Sequence, residues 1–171
     1  MIEAPIPADD DDRLQALRQL LILDTPQEER FDRIVTFAAE EFEMPMVLIT
    51  LVDKKRQWFK ASVGLNVCET SRDVSFCGHA ILSNETMIVA DATKDQRFFD
   101  NPFVIEEPHV RFYVGAPLTL PSGQNVGTLC MIDSVPREID AIGLAILSSL
   151  RDLVVEELIN QASSSDERHG L

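Results

Sequence analysis

Met46-Val47-Leu48-Ile49-Thr50-Leu51-Val52 is the stretch whose reading decides the fold. It is a short, β-branched apolar run with no helix cap before it, closed by Asp53-Lys54-Lys55-Arg56, and it reads as a strand at the centre of a sheet. Trp58-Phe59-Lys60-Ala61-Ser62-Val63-Gly64 follows after a loop short enough for a hairpin, which predicts an antiparallel neighbour ending at Gly64. Toward the N-terminus, Asp24-Thr25-Pro26 is a turn. It leads into a helix with Glu28 and Glu29 in its first turn and Phe31, Ile34, Val35, Ala38 and Phe42 along one side, stopping before Met44-Pro45. Before that turn, Leu14, Leu17, Leu20 and Leu21 recur at steps of three and four and predict a helix from Arg13 to near Leu23. Residues 1–12, closing on Asp9-Asp10-Asp11-Asp12, read as a flexible acidic tail.

Toward the C-terminus the spacing predicts a short helix from Ser75 to Leu82 and a short strand Met87-Ile88-Val89-Ala90. A polar stretch holding Asp91, Asp95, Arg97, Asn101 and Arg111 comes next, and connections of that length inside a domain are usually functional or mobile. Strands from Phe112 to Leu120 and from Val126 to Asp133 are joined by the hairpin chemistry of Pro121-Ser122-Gly123-Gln124. A last helix runs from about Ile139 to Asn160, and its apolar stripe of Ile142, Ile146, Leu150, Leu153 and Leu158 is wider than one sheet contact needs. The expectation is an α+β fold with a mostly antiparallel sheet: one domain over residues 13–160 and a polar tail over 161–171.

The 171 residues are 45% hydrophobic and 26% charged, the composition of one globular domain able to bury a core without disulfide or metal staples. Fifteen Lys and Arg against 29 Asp and Glu leave a net charge of −14, which argues against nucleic acid and anionic membrane surfaces as partners. No apolar run reaches the length of a membrane span and the N-terminus lacks a signal pattern, so the expected location is the cytoplasm. Cys68, Cys77 and Cys130 are an odd number at irregular spacing and read as reduced thiols, Cys130 as core.

Several phrases taken in order resemble a known family: Leu23-Asp24-Thr25-Pro26, Leu51-Val52-Asp53, Arg56-Gln57-Trp58-Phe59-Lys60, Ser75-Phe76-Cys77-Gly78-His79-Ala80-Ile81, Arg111-Phe112-Tyr113-Val114-Gly115-Ala116-Pro117-Leu118 and Gly127-Thr128-Leu129-Cys130-Met131-Ile132-Asp133. The chain resembles a bacterial GAF domain, of the subgroup found ahead of diguanylate cyclase or histidine kinase modules. The resemblance implies a central antiparallel sheet with the N- and C-terminal helices on one face and short helices and loops over a ligand pocket on the other. It implies a sensory role in signal transduction, with an unknown small metabolite as ligand. No output domain is apparent in the sequence, so the expectation is action through a homodimer or on a separate kinase or cyclase.

The resemblance also implies a pocket built from Phe76, Cys77 and His79, from Asp91, Asp95, Arg97, Phe98 and Asn101, and from Arg111 with Tyr113. Arg97 and Arg111 would fork onto a carboxylate or phosphate, with Asp91 and Asn101 serving amines or amides. The bland alternative is that these groups stitch the loop to the sheet, with Arg72-Asp73 and Arg97 with Asp91 or Asp95 as structural pairs. Leu14, Leu17 and Leu21 with Ile142, Ile146, Leu150 and Leu153 are the expected dimer interface.

No cofactor is expected. Positions two apart on a helix point about 200° apart, so Cys77 and His79 do not form a close thiolate–imidazole pair. Gly78 interrupts the adjacent Cys-His of bilin-binding relatives, a lone His79 is weak ground for haem, and a metal set of Cys68, Cys77, His79 and Cys130 lacks any Cys-x-x-Cys. Two other readings stand beside the sensor. One is a thiol enzyme like free methionine-R-sulfoxide reductase, although the segment from Asp95 to Asn101 offers no thiol where that family keeps its catalytic cysteine. The other is an interaction module with a closed pocket.

Overall fold

The apolar run at residues 46–52 forms β1 (Met46–Val52), and every one of its side chains is buried, as a strand covered on both faces requires. In the computed structural model, which describes residues 1–169 and the side chains of residues 1–164, β1 lies in the middle of a six-stranded antiparallel sheet. The other strands are β2 (Arg56–Val63), β3 (Glu69–Ser71), β4 (Met87–Val89), β5 (Phe112–Thr119) and β6 (Asn125–Asp133), in the order β3-β2-β1-β6-β5-β4. The hairpins β1–β2 and β5–β6 form as expected, and β1 joins them by pairing with β6, Leu48 opposite Cys130 and Thr50 opposite Thr128. The short edge strand β3 was not anticipated; its three residues carry too little alternation to register.

Alternation divides the sheet. Val47, Ile49 and Leu51 of β1, Trp58 and Ala61 of β2, Val114 and Leu118 of β5 and Leu129 and Met131 of β6 face a layer of three helices. Those helices are α1 (Asp10–Gln19), α2 (Glu29–Phe42) and α5 (Ala141–His169). They supply Leu14, Leu17, Phe31, Ile34, Val35, Leu147, Val154 and Leu158 to one aliphatic core. A bulge at Lys60 turns that side chain toward the same layer. There its ammonium, 1% exposed, donates to Thr25 Oγ1 at 2.8 Å and pairs with Glu28 at 2.7 Å.

Both ends of the chain depart from the sequence reading. Residues 1–12 do not form a free tail: α1 begins at Asp10, whose buried carboxylate takes Arg13 Nε at 2.8 Å and the fork of Arg72 at 2.8 and 2.9 Å. Arg13 also donates to the Val52 carbonyl at 2.7 Å, so the first aspartates are tied into the end of β1. Upstream, the Ala4 amide donates to the Asp73 carbonyl at 3.0 Å and the Ala4 side chain is buried against Gly78. A Cβ at Gly78 would lie 2.7 Å from that of Ala4, which is why a glycine interrupts this short helix. At the other end the last helix continues through His169 where a polar tail over 161–171 was expected; Gly170 and Leu171 lie outside the described residues. Its face is apolar only as far as the sheet extends, so periodicity lost it after Asn160.

Candidate functional site

The face of the sheet opposite the three helices carries a different set of side chains. Alternation puts Met46, Leu48 and Thr50 of β1, Gln57 and Phe59 of β2, Tyr113 of β5 and Thr128, Cys130 and Ile132 of β6 on this side. Two short helices lie over them, α3 (Phe76–Ala80) and α4 (Pro102–Ile105). Ser75 caps α3 by accepting from the Gly78 amide at 2.9 Å, and Asn101 caps α4 by accepting from the Phe103 amide at 2.9 Å.

Between sheet and cover is a cavity of about 200 Å³. Leu48, Phe59 and Ile132 form its floor, Phe76, Cys77 and Tyr113 its wall toward α3, and Leu65, Phe103, Pro108 and Val110 its roof. Exposed Val67 and Glu107 stand at its mouth. Its size is below the roughly 300–1,000 Å³ of sites for drug-sized ligands, so it suits a small one. The lining is almost wholly apolar. Gln57, Thr70 and Glu107 are the polar members: Gln57 Nε2 donates to Thr70 Oγ1, while its buried Oε1 has no partner among the described residues.

Polar groups also gather at the Cys77 end. The Tyr113 hydroxyl lies 3.2 Å from Cys77 Sγ and Thr128 Oγ1 donates to it at 3.1 Å. Tyr113 reaches this point by folding across Gly115, where a Cβ would stand 2.2 Å from its hydroxyl oxygen. Burial pushes the Cys77 thiol up, but hydrogen bonding from Cys130, Thr128, Tyr113 and Thr50 outweighs it and brings the thiol down to about 7. Burial and the neighbouring sulfurs hold the Tyr113 phenol well above its ordinary value.

Of the residues expected at a ligand site, Phe76, Cys77 and Tyr113 line the cavity, and wholly buried Phe98 stacks on Phe76 with ring centroids 4.0 Å apart. The polar ones do not assemble around it. Asp91 caps a single 3-10 turn, Ala92–Lys94, by accepting from the Thr93 amide at 3.0 Å. Asp95 pairs with Arg97 at 2.8 Å, and Arg111 donates to the carbonyls of Val104 and Val110 at 2.9 and 3.0 Å. Asn101, besides its cap, donates to the Val74 carbonyl at 2.9 Å. His79 turns away, donating from Nε2 to the Ile2 carbonyl at 3.1 Å, and burial lowers its pKa so that it stays neutral. A loop laid over a sheet must satisfy its own backbone, and these side chains do that work. Arg97 takes the expected partner Asp95, whereas Arg72 takes Asp10 in place of Asp73.

The expected dimer surface is also divided. Leu14 and Leu17 are spent on the chain's own core, and Leu150 is 8% exposed. Leu21, Ile142 and Leu153 are exposed and Ile146 is half-buried; Ile142 and Ile146 share an apolar hollow with Phe37 and Ala145 on the outer side of α5.

The GAF domain family matches residues 26–164. A cyclic di-GMP phosphodiesterase of Pseudomonas aeruginosa is 46% identical over 137 residues, covering 80% of this chain but 23% of the relative's length. Among solved structures, the GAF domain of an Acinetobacter phosphoenolpyruvate-protein phosphotransferase superposes with a TM-score of 0.62 at 19% identity, over 94% of this chain and 98% of that one. Free methionine-R-sulfoxide reductase of Neisseria meningitidis, solved with its substrate, does so with a TM-score of 0.63 at 17% identity, over 96% and 99%. At such identities these two structures speak for the fold.

Proposed function

The chain belongs to the GAF domain family, and on that premise we propose that it is a sensory domain whose cavity on the α3 face binds a small amphipathic metabolite. The observation that carries this reading is a largely apolar cavity of about 200 Å³ with Gln57 in its lining, whose buried Oε1 has no partner among the described residues and reaches a ligand once the amide turns toward the cavity. A buried acceptor without a partner costs about 1–3 kcal/mol, and a ligand offering one N–H or O–H on an apolar body recovers it. The metabolite therefore fills the space between Leu48, Phe59 and Val110 and donates to Gln57. Arg97 and Arg111, tied to their own loop, are not its anchors.

A relative supports a reading of the output. In Pseudomonas aeruginosa a matching segment is part of a cyclic di-GMP phosphodiesterase, of which this chain spans about a quarter. We infer that this domain regulates cyclic di-GMP turnover in the cytoplasm, through a homodimer or through a cyclase or kinase module. The dimer forms on the outer side of α5, where Ile142 and Leu153 are exposed and Ile142 borders exposed Phe37 of α2. Binding is transmitted through β1 and β6, which the cavity and the helix layer share.

Thermal shift against a metabolite library tests this reading, with Gln57→Leu and the cavity-filling Leu65→Trp as controls. A ligand whose stabilisation rises logarithmically with concentration, weakens at least about tenfold in Gln57→Leu and vanishes in Leu65→Trp is the expected result. No shift from any fraction would turn the reading to an interaction module. Turnover of methionine sulfoxide with a reductant, lost in Cys77→Ser, would turn it to a thiol enzyme.

A further inference from the structure

Two sulfurs meet beside the cavity. Cys77 on α3 and Cys130 on β6 are 53 positions apart in the chain, both are free thiols, and their Sγ atoms lie 3.8 Å from each other. A disulfide needs about 2.05 Å, so the two sulfurs, now in van der Waals contact at 3.8 Å, must close by a little under about 2 Å. The surroundings are polar where a structural cysteine would have hydrocarbon. Thr128 Oγ1 and the Tyr113 hydroxyl stand 3.1 and 3.2 Å from Cys77 Sγ, and Thr50 Oγ1 lies 3.9 Å from Cys130 Sγ. Cys77 is closed to bulk solvent but forms part of the cavity wall, so what reaches it arrives through the mouth at Val67 and Glu107.

We propose that Cys77 and Cys130 are a redox pair, oxidised to an intramolecular disulfide by a small hydroperoxide that enters through the cavity. Cys77 lines the cavity and Cys130 does not, so Cys77 is the attacking sulfur and Cys130 the resolving one. In keeping with this, hydrogen bonding from Cys130, then from Thr128 and Tyr113, lowers the Cys77 thiol against the effect of burial, while hydrogen bonding to Cys77 and burial raise Cys130. The Cys77 thiolate bonds to the terminal oxygen of the hydroperoxide and the O–O bond breaks. The alkoxide leaves as the alcohol after taking a proton, the one Cys77 gave up on ionising. Cys130 then attacks Cys77 Sγ of the sulfenic acid, the S–O bond breaks, and water leaves with the proton of Cys130. Two thiols and one hydroperoxide become one disulfide, one alcohol and one water.

The link draws Cys77 off Thr128 and Tyr113, and Tyr113 lines the same cavity, so oxidation reshapes the space a metabolite would occupy. The proposal does not rest on the sensor reading, since it uses the cavity only as a passage.

The test uses the full chain carrying Cys68→Ser, which removes the exposed thiol and its intermolecular chemistry. The protein is treated with tert-butyl hydroperoxide near neutral pH, unfolded in N-ethylmaleimide, and read by intact mass and peptide mapping. The expected product has lost two hydrogens, carries no label, yields one peptide joining Cys77 to Cys130, and regains both labels after dithiothreitol. In a Cys130→Ser variant the same treatment stops at a Cys77 sulfenic acid that dimedone traps; if that variant does not fold, the first result decides alone. Retention of both labels, or irreversible oxidation of Cys77 with Cys130 still labelled, would overturn the proposal. Thermal shifts with metabolites are read on the reduced protein, so failure here leaves the ligand reading standing, and the reverse.

Discussion

The two faces of one sheet are built from the same strands by the same alternation, yet they differ in kind. The helix-side face is aliphatic and filled, with Leu17, Ile22, Phe31, Val154 and Leu158 wholly buried. The α3 face is aromatic and sulfur-bearing, holds Thr50, Gln57, Thr128, Cys77 and Cys130 among its side chains, and leaves about 200 Å³ open. Stability is concentrated on one side, and the other keeps unspent polar groups and space. A strand residue's parity therefore decides whether its loss is felt as unfolding or as altered chemistry.

Substitutions sharpen that contrast, beginning with packing. Phe31→Ala, on the helix side, is expected to cost about 3–5 kcal/mol in urea unfolding, while Phe103→Ala at the cavity roof costs about 1 kcal/mol, its ring already lacking neighbours on one side. Equal losses would erase the distinction. Glu28→Gln leaves the buried Lys60 ammonium without its carboxylate and should cost about 1.5–3 kcal/mol.

Burial pushes the Glu28 carboxyl up, but Lys60 and then Arg30 outweigh it and hold it below the usual carboxylate range. A depressed acid stabilises the fold above its unfolded value of 4.5 and loses that contribution as pH falls through its lower folded value. Glu28→Gln should accordingly flatten the acid limb of a stability–pH curve, and an unchanged limb would count against the pair.

On the α3 face the same kind of change reads out as chemistry. Tyr113→Phe is expected to cost about 1 kcal/mol of stability. It should also move the midpoint of Cys77 alkylation upward, because one hydrogen bond to the sulfur is lost. The smallest stability effect is expected outside both faces. Ile142→Glu with Leu153→Glu, both at exposed positions, should stay within about 0.5 kcal/mol of the parent while halving the mass seen by light scattering. A dimer of unchanged mass would remove the outer side of α5 as its interface.

Much of the scaffold was legible because it rests on periodicity. Met46–Val52, the hairpin through Pro121-Ser122-Gly123-Gln124 and the stripe from Phe31 to Phe42 all carry clean spacing over several residues. The ends were not, since Asp10 looks like solvated charge until Arg72 arrives from 62 positions away to bury it. Of the expected ligand residues, Phe76, Cys77 and Tyr113 line the cavity, while the polar loop residues bond to their own loop. Asp91, Asp95, Asn101 and Arg111 have the same composition whether they hold a ligand or their own backbone, and only geometry separates the two. That Gln57 lines the cavity was within reach of the sequence, since it shares parity with Phe59 and opposes Trp58. Cys130 read as core and is wholly buried, while nothing local announces that Cys77 lies 3.8 Å away.

On this reading, ligand chemistry belongs to the α3 face and not to the helix face. Methyl-resolved NMR of the reduced chain, titrated with the metabolite fraction that shifts its melting temperature, tests this most directly. The prediction is that Leu48, Leu65, Val67, Val110 and Ile132 move on binding while Leu17, Ile22, Val154 and Leu158 hold still. Shifts centred on the helix-side methyls, with the cavity methyls unmoved, would contradict it.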